Sequence, residues 1–118
     1  MQTTPQLIYR VATQALFAPA REAPSFAGMP VDAADGYMHF STAEQLAETL
    51  RRHFAGIGDL VLLAVRTADL GDKLVWEPSR GGALFPHYYG ALPTSAIAWE
   101  TPLVVAADGS CQLPPGVQ

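Results

Sequence analysis

Three short segments of this 118-residue chain combine polar side chains with a backbone able to hold them. The first is Asp35-Gly36-Tyr37-Met38-His39-Phe40-Ser41-Thr42. Side chains alternate across a strand, so Tyr37, His39 and Ser41 share one face and Met38 and Phe40 the other. Two bulky apolar residues mark their own face as core. His39 and Ser41 are then expected beside the start of a following helix, where free backbone N–H groups favour an anion. A phosphate or ribose contact is the chemistry this pair suggests. The plainer alternative is a hydrogen-bonded structural histidine and a simple helix cap.

The second segment is Trp76-Glu77-Pro78-Ser79-Arg80-Gly81-Gly82. Glu77 at a strand end is a candidate positioned carboxylate, and Arg80 before two glycines a candidate anion clamp, because glycine permits close backbone approach. A solvated turn with a surface ion pair fits equally. The third is Leu84-Phe85-Pro86-His87-Tyr88-Tyr89-Gly90, an aromatic loop around one histidine. It suits stacking on a planar ring, or packing against a small core. His53 reads as structural, facing solvent near a helix C-terminus.

Other site classes fare worse. The histidines stand 14 and 34 residues apart, with a single cysteine, and do not match metal-ligand spacing. Neither a P-loop nor a dinucleotide fingerprint is present, and a Ser-His-Asp triad has no motif support.

The elements that must position these residues are short. Leu7 to Ala12 predicts a first strand, and Thr13 caps a short helix through Ala20 that Pro19 interrupts. Pro24 to Ala34 reads as loop, Asp35-Gly36 as a turn and Tyr37 to Phe40 as a second strand. Ser41-Thr42-Ala43-Glu44 fits a capping box with Ser41 as N-cap and Glu44 at N3. Ala43, Leu46, Ala47, Leu50 and Phe54 recur at helical spacing, so a helix is expected to about Ala55, stopped by Gly56. Leu60 to Val65 predicts a buried strand and Leu74 to Glu77 a short one, separated by a turn at Asp69 to Asp72. Arg80 to Gly82 reads as a flexible loop. Ala96 to Trp99 and Leu103 to Ala107 predict two more strands. Asp108-Gly109 predicts a hairpin into Ser110 to Leu113, with Cys111 as a strand residue. Six or seven strands with two helices make the fold class α+β, with mainly antiparallel sheet.

Composition bounds the partners. The chain is 49% hydrophobic and only 15% charged, against about 25% charged for an average domain, so one domain with a real core is expected across residues 1–118. Ten glycines and ten prolines punctuate many short elements. A net charge of −4 removes the basic footprint of a duplex-binding protein. A local anion site remains open, because six of the seven basic residues are arginines, suited to bidentate capture. No apolar run reaches the ~20 residues that cross a bilayer, no secretory signal is evident, and Cys111 has no partner for a disulfide. The cytoplasm is the expected compartment, with no membrane partner, and a protein partner is left open.

The residues carry a resemblance. Asp35 to Gln45, Leu60-Val61-Leu62-Leu63, Trp76-Glu77-Pro78 and Phe85 to Gly90 resemble the signature of a small bacterial family, the domain-of-unknown-function family 952. The match runs from about Leu7 to Val105 with the motifs in order, and the chain is identified as a member. More distantly, His39-Phe40-Ser41 followed by a helix and an apolar strand looks like the His-x-Ser segment of tRNA 2′-phosphotransferases, in the ADP-ribosyltransferase-like superfamily. That resemblance implies a cleft between two small sheets and NAD or an ADP-ribose-bearing small molecule as substrate, with no tightly bound cofactor. It places His39 near the ribose with Ser41 beside it, and on that reading the candidate catalytic residues are His39, Glu77 and His87, with Tyr9, Arg10, Ser41, Arg80 and Tyr89 as candidate ligand contacts. Position 10 often carries His in the family, whereas this chain has Arg10, which is compatible with phosphate or ribose binding. Glu77 and Glu100 are both available as the catalytic acid, and Glu77 is preferred because it lies in a family motif. The second domain and extra arginines of tRNA 2′-phosphotransferases have no counterpart here. Removal of an RNA 2′-phosphate is therefore not expected. The competing readings are a noncatalytic nucleotide or small-anion module and a structural or interaction domain.

Overall fold

A computed structural model describes residues 4–117. In chain order the strands are β1 (Leu7–Thr13), β2 (Ser25–Phe26), β3 (Met38–His39), β4 (Leu60–Arg66), β5 (Leu74–Pro78), β6 (Leu84–Tyr88), β7 (Leu92–Pro93) and β8 (Ile97–Leu103). The α-helices are α1 (Gln14–Phe17), α2 (Pro30–Asp35) and α3 (Ala43–His53). Strand pairs are antiparallel throughout, in the orders β1-β4-β8, β3-β6-β5 and β2-β7. The domain is a small α+β fold of mainly antiparallel sheet. None of the described helices is long and apolar enough to cross a membrane.

The run Leu60 to Val65 is apolar without interruption because β4 is central and both its faces are covered. Val61, Leu63 and Val65 join Ile8, Ala12, Met38, Phe40 and Tyr88 in a core between the two three-stranded sheets. Leu60, Leu62 and Ala64 join Tyr9, Val11, Leu46, Leu50 and Leu103 in a second core beneath α3. α3 thus covers one face of the β1-β4-β8 sheet and the β3-β6-β5 sheet covers the other, while the second face of the β3-β6-β5 sheet turns to a cleft that α3 also borders. In that sheet Met38, Tyr88, Leu74 and Trp76 point to the first core. Their neighbours His39, His87, Val75 and Glu77 therefore point the other way.

Several expectations need correction. The expected loop Pro24 to Ala34 contains β2 and most of α2. Pro30 opens α2 at its first turn, Asp32 accepts from the backbone N–H of Met29 at 2.6 Å, and Gly36 closes it at φ 85°. Asp35-Gly36 is therefore a helix C-terminus rather than an isolated turn. α3 is capped by Thr42 and Gln45, one residue later than Ser41 and Glu44. Thr42 Oγ1 accepts from Gln45 N–H at 3.3 Å, and Gln45 Oε1 accepts from Thr42 N–H at 3.0 Å. Ser41 is unavailable as a cap because its backbone is still extended, bridged to Tyr9 through bonds of 2.8 and 2.9 Å.

Phe85 to Tyr88 lies in a strand, not a loop, and that strand is the middle one of its sheet. Pro86 is tolerated there because its carbonyl accepts from Phe40 N–H at 3.0 Å while it has no N–H to return. The β3 ladder accordingly ends at His39. The two strands expected from Ala96 to Ala107 are one, β8, an edge strand that can hold Pro102. Among the described residues no strand follows Asp108-Gly109. Cys111 lies in irregular chain, half-buried against the second core.

Candidate functional site

The reciprocal bonds between Tyr9 and Ser41 join the edge of the first sheet to the segment leaving the second. They bring Arg10 beneath His39. Arg10 Nη1 donates to the His39 carbonyl at 2.8 Å and Nη2 to Asp32 Oδ2 at 2.5 Å. Both partners of this ion pair are buried, at 6% and 4% exposure. Asp32 Oδ1 accepts the His39 backbone N–H at 3.0 Å and lies 2.8 Å from His39 Nδ1. On the far side of the ring, Nε2 lies 2.8 Å from Asp35 Oδ2. His39 is therefore gripped at both nitrogens by carboxylates of one short helix.

A second histidine–carboxylate pair faces it. His87, which pairs with His39 across β3 and β6, places Nδ1 2.8 Å from Glu77 Oε1. The same oxygen accepts from Tyr89 Oη at 2.7 Å. Tyr37 lies between the histidines, its ring centroid 4.1 Å from His87 and 4.7 Å from His39. Tyr89 lies 5.4 Å from Tyr37, and the two imidazoles are 5.8 Å apart.

The electrostatics follow from these contacts. Burial pushes the Asp32 carboxyl up, but His39, Arg10 and two backbone N–H groups outweigh it and hold it below the usual range. Desolvation lowers the Arg10 guanidinium, opposed by Asp32. Tyr89 and His87 hold the Glu77 carboxyl down. Glu77 in turn raises the Tyr89 phenol, while burial, Asp35 and Glu77 raise that of Tyr37.

A cleft of about 620 Å³ opens beside this cluster. Asp35, Tyr37, His39, Phe85 and His87 line it from α2 and the second sheet with the segment between them. Thr49, Arg52 and His53 of α3 line it from the other element. Of the residues expected from the sequence, His39, His87 and Arg10 meet here, and Glu77 and Tyr89 join them through His87. Ser41 does not line the cleft. It is buried, with Oγ 2.8 Å from Thr49 Oγ1, which does. Tyr9 is fully buried on the opposite face of β1 from Arg10, in the core beneath α3, so it makes no part of the site. The side chain of Arg80 lies outside the described residues. Glu100 pairs with Arg21 at the surface, far from the cluster in the fold's connectivity, on β8.

Sequence reasoning missed Asp32, Asp35 as a ring partner, and the cleft-facing residues of α3, among them His53. A signal for Asp32 existed: Pro30 followed by Asp32, with Gly36 beyond, is a helix start and stop. Among the described residues, no three His, Cys, Asp or Glu side chains stand where they could hold a metal ion.

The fold is shared with solved structures. The crystal structure of protein CC0527 from Caulobacter crescentus is 45% identical, with a TM-score of 0.84, over 90% of this chain and 93% of that one. The solution NMR structure of CC0527 is 45% identical, with a TM-score of 0.77, over 89% and 90% of the two chains. No curated protein matches the chain. The model of the family described as "Protein of unknown function (DUF952)" matches residues 11–100, and the chain belongs to that family.

Proposed function

We propose that the cleft binds NAD or an ADP-ribose-bearing small molecule, and that the domain is ADP-ribosyltransferase-like in fold and chemistry. The observation that carries this reading is the division of charge within one cleft. The acid Asp35 and the rings of Tyr37, His39 and His87 come from α2 and the second sheet, whereas Arg52 and His53 come from the last turn of α3. A planar cationic ring suits the acid and aromatic lining. A diphosphate suits the basic one, where exposed Arg52 engages Glu48 through Nε alone, at 2.9 Å. The volume falls within the roughly 300–1,000 Å³ typical of small-molecule sites.

Cleavage of the nicotinamide glycosidic bond develops positive charge on ribose, and a fixed carboxylate lowers that barrier. Asp35 is the carboxylate that lines the cleft, while Glu77 reaches it only through His87. Arg10 has its charge met by Asp32, so its role is to hold His39 by the carbonyl rather than to bind phosphate.

Thermal shift with NAD, ADP-ribose, nicotinamide and inorganic phosphate tests the proposal. A ligand at 100 times its Kd stabilises by about 2.7 kcal/mol. NAD and ADP-ribose are expected to raise Tm more than phosphate at equal concentration. Silence towards both overturns the reading. The noncatalytic nucleotide or small-anion module is the second reading, favoured by the engagement of Glu77 Oε1 with two protein donors. Release of nicotinamide separates the two.

A further inference from the structure

We infer that His87 takes the proton from the attacking nucleophile in this cleft, water or a hydroxyl group, with Glu77 as its positioning residue. This rests on the reading of the cleft as a site for NAD.

Three observations converge on it. His87 lines the cleft yet is only 4% exposed, and Tyr37 stacks on its ring at an interplanar angle of 28°. Packing thus fixes the ring's orientation. Glu77 Oε1 lies 2.8 Å from Nδ1. An ionised carboxylate only accepts, so Nδ1 carries the proton and the neutral ring keeps its lone pair on Nε2. That Nε2 makes no hydrogen bond to a described residue and is not among the fully buried unpaired atoms, so it is the ring nitrogen left to the cleft. His39 differs. Both its nitrogens face carboxylate oxygens at 2.8 Å, so neither is turned to a nucleophile while Asp32 and Asp35 hold it. The two histidines are not interchangeable, and the asymmetry assigns the base to His87.

In the step so assigned, the nucleophile's oxygen bonds to the anomeric carbon of the nicotinamide-bearing ribose as its proton passes to His87 Nε2. The carbon–nitrogen glycosidic bond breaks, and its electron pair neutralises the ring nitrogen of the departing nicotinamide. Glu77 stabilises the resulting imidazolium, which then releases its proton to solvent.

The test is nicotinamide release from NAD in buffer, with water as nucleophile. It is followed against pH for the wild type, His87→Gln and Glu77→Gln, with the NAD-induced shift in Tm recorded for each. Tyr37, His39 and Asp35 also border the cleft, as do Arg52 and His53 on α3, with Asp32 behind His39 and Tyr89 on Glu77. The assignment therefore needs the variants and not the wild-type profile alone. His87→Gln is expected to lower kcat by about 100-fold or more and to abolish the acid limb, with KM little changed. Glu77→Gln is expected to lower kcat by about tenfold, less than His87→Gln, with the NAD-induced shift in Tm kept, because the ring loses the acceptor that fixes its tautomer. Wild-type kcat and pH dependence in His87→Gln overturn the inference and leave the NAD reading in place. A wild type with neither an NAD-induced shift nor nicotinamide release overturns both. Where His87→Gln loses the NAD-induced shift, Glu77→Gln decides, and wild-type kcat in that variant overturns the inference.

Discussion

Asp32 and His39 are joined twice, because Asp32 Oδ1 receives both the backbone N–H and the ring Nδ1 of His39, at 3.0 and 2.8 Å. The other carboxylate oxygen receives Arg10 Nη2 and the Met29 backbone N–H, at 2.5 and 2.6 Å. One buried side chain thus ties together β1, the start of α2 and β3. The orientation of the His39 ring depends on it.

Asp32→Asn should therefore be among the most damaging single changes in the chain. It keeps the shape but leaves the Arg10 charge buried without its partner, a loss of about 3–5 kcal/mol. Against a total stability of about 5–15 kcal/mol that is a large fraction. Urea unfolding reads it directly, and a loss below about 1 kcal/mol would show that Arg10 finds another partner.

The same carboxylate gives the fold an acid-sensitive component. Its folded pKa lies below its unfolded value, so its contribution is present above the unfolded carboxyl value of about 3.9. It is lost as pH falls through the lower folded value. Wild-type stability should decline on acidification below about pH 4. The decline should be shallower in Asp32→Asn, in which this group cannot protonate. Parallel slopes in the two proteins would remove Asp32 as its source.

The capping of α3 shows how close a sequence reading can come and still miss by one residue. Ser41-Thr42-Ala43-Glu44 and Thr42-Ala43-Glu44-Gln45 both satisfy capping-box spacing. Only the Tyr9–Ser41 bridge, a long-range contact, decides between them. Thr42→Ala should cost about 1 kcal/mol, while Glu44→Ala should stay within about 0.5 kcal/mol. Chemical denaturation of the two variants reads the difference, and the reverse ranking would restore the earlier frame.

The parts of the site legible in the sequence were those governed by local alternation. Met38 and Phe40 inward with His39 outward follows from strand geometry alone, as does the doubly covered β4. What escaped depends on tertiary context. Pro86 and Gly90 read as loop punctuation, yet Pro86 sits in a central strand because its missing N–H falls where the β3 ladder ends. α2 has six residues and too little periodicity to announce itself. Ring partners such as Asp35, four residues from His39, are visible as neighbours but not as contacts.

Tyr9 separates resemblance from geometry. Strand alternation sends it into the core beneath α3, while Arg10 turns to the cleft. Its hydroxyl lies 3.5 Å from the Gly116 carbonyl. Tyr9→Phe should therefore alter stability by no more than about 1 kcal/mol and leave the NAD-induced shift in Tm unchanged. A lost ligand response with an intact fold would return Tyr9 to the site.

Gly28 and Gly36 provide a controlled pair for the packing around Asp32. Both have positive φ, 97° and 85°, so alanine at either is strained by the backbone alone, by roughly 1–2 kcal/mol. They differ in surroundings. A Cβ on Gly36 meets nothing within 4 Å, whereas one on Gly28 falls 2.6 Å from Asp32 Oδ2 and 3.1 Å from Met38 Cε. Asp32 cannot retreat without releasing Arg10, Met29 or His39, since each of its oxygens already serves two donors. Gly28→Ala should thus be more destabilising than Gly36→Ala by at least about 1 kcal/mol, the worth of one hydrogen bond at this carboxylate. It should also disturb the NMR signals of the His39 ring, which Gly36→Ala leaves in place. Equal costs for the two variants, with the His39 signals unmoved in both, would mean that Asp32 is free to shift and is not the rigid hub of the site.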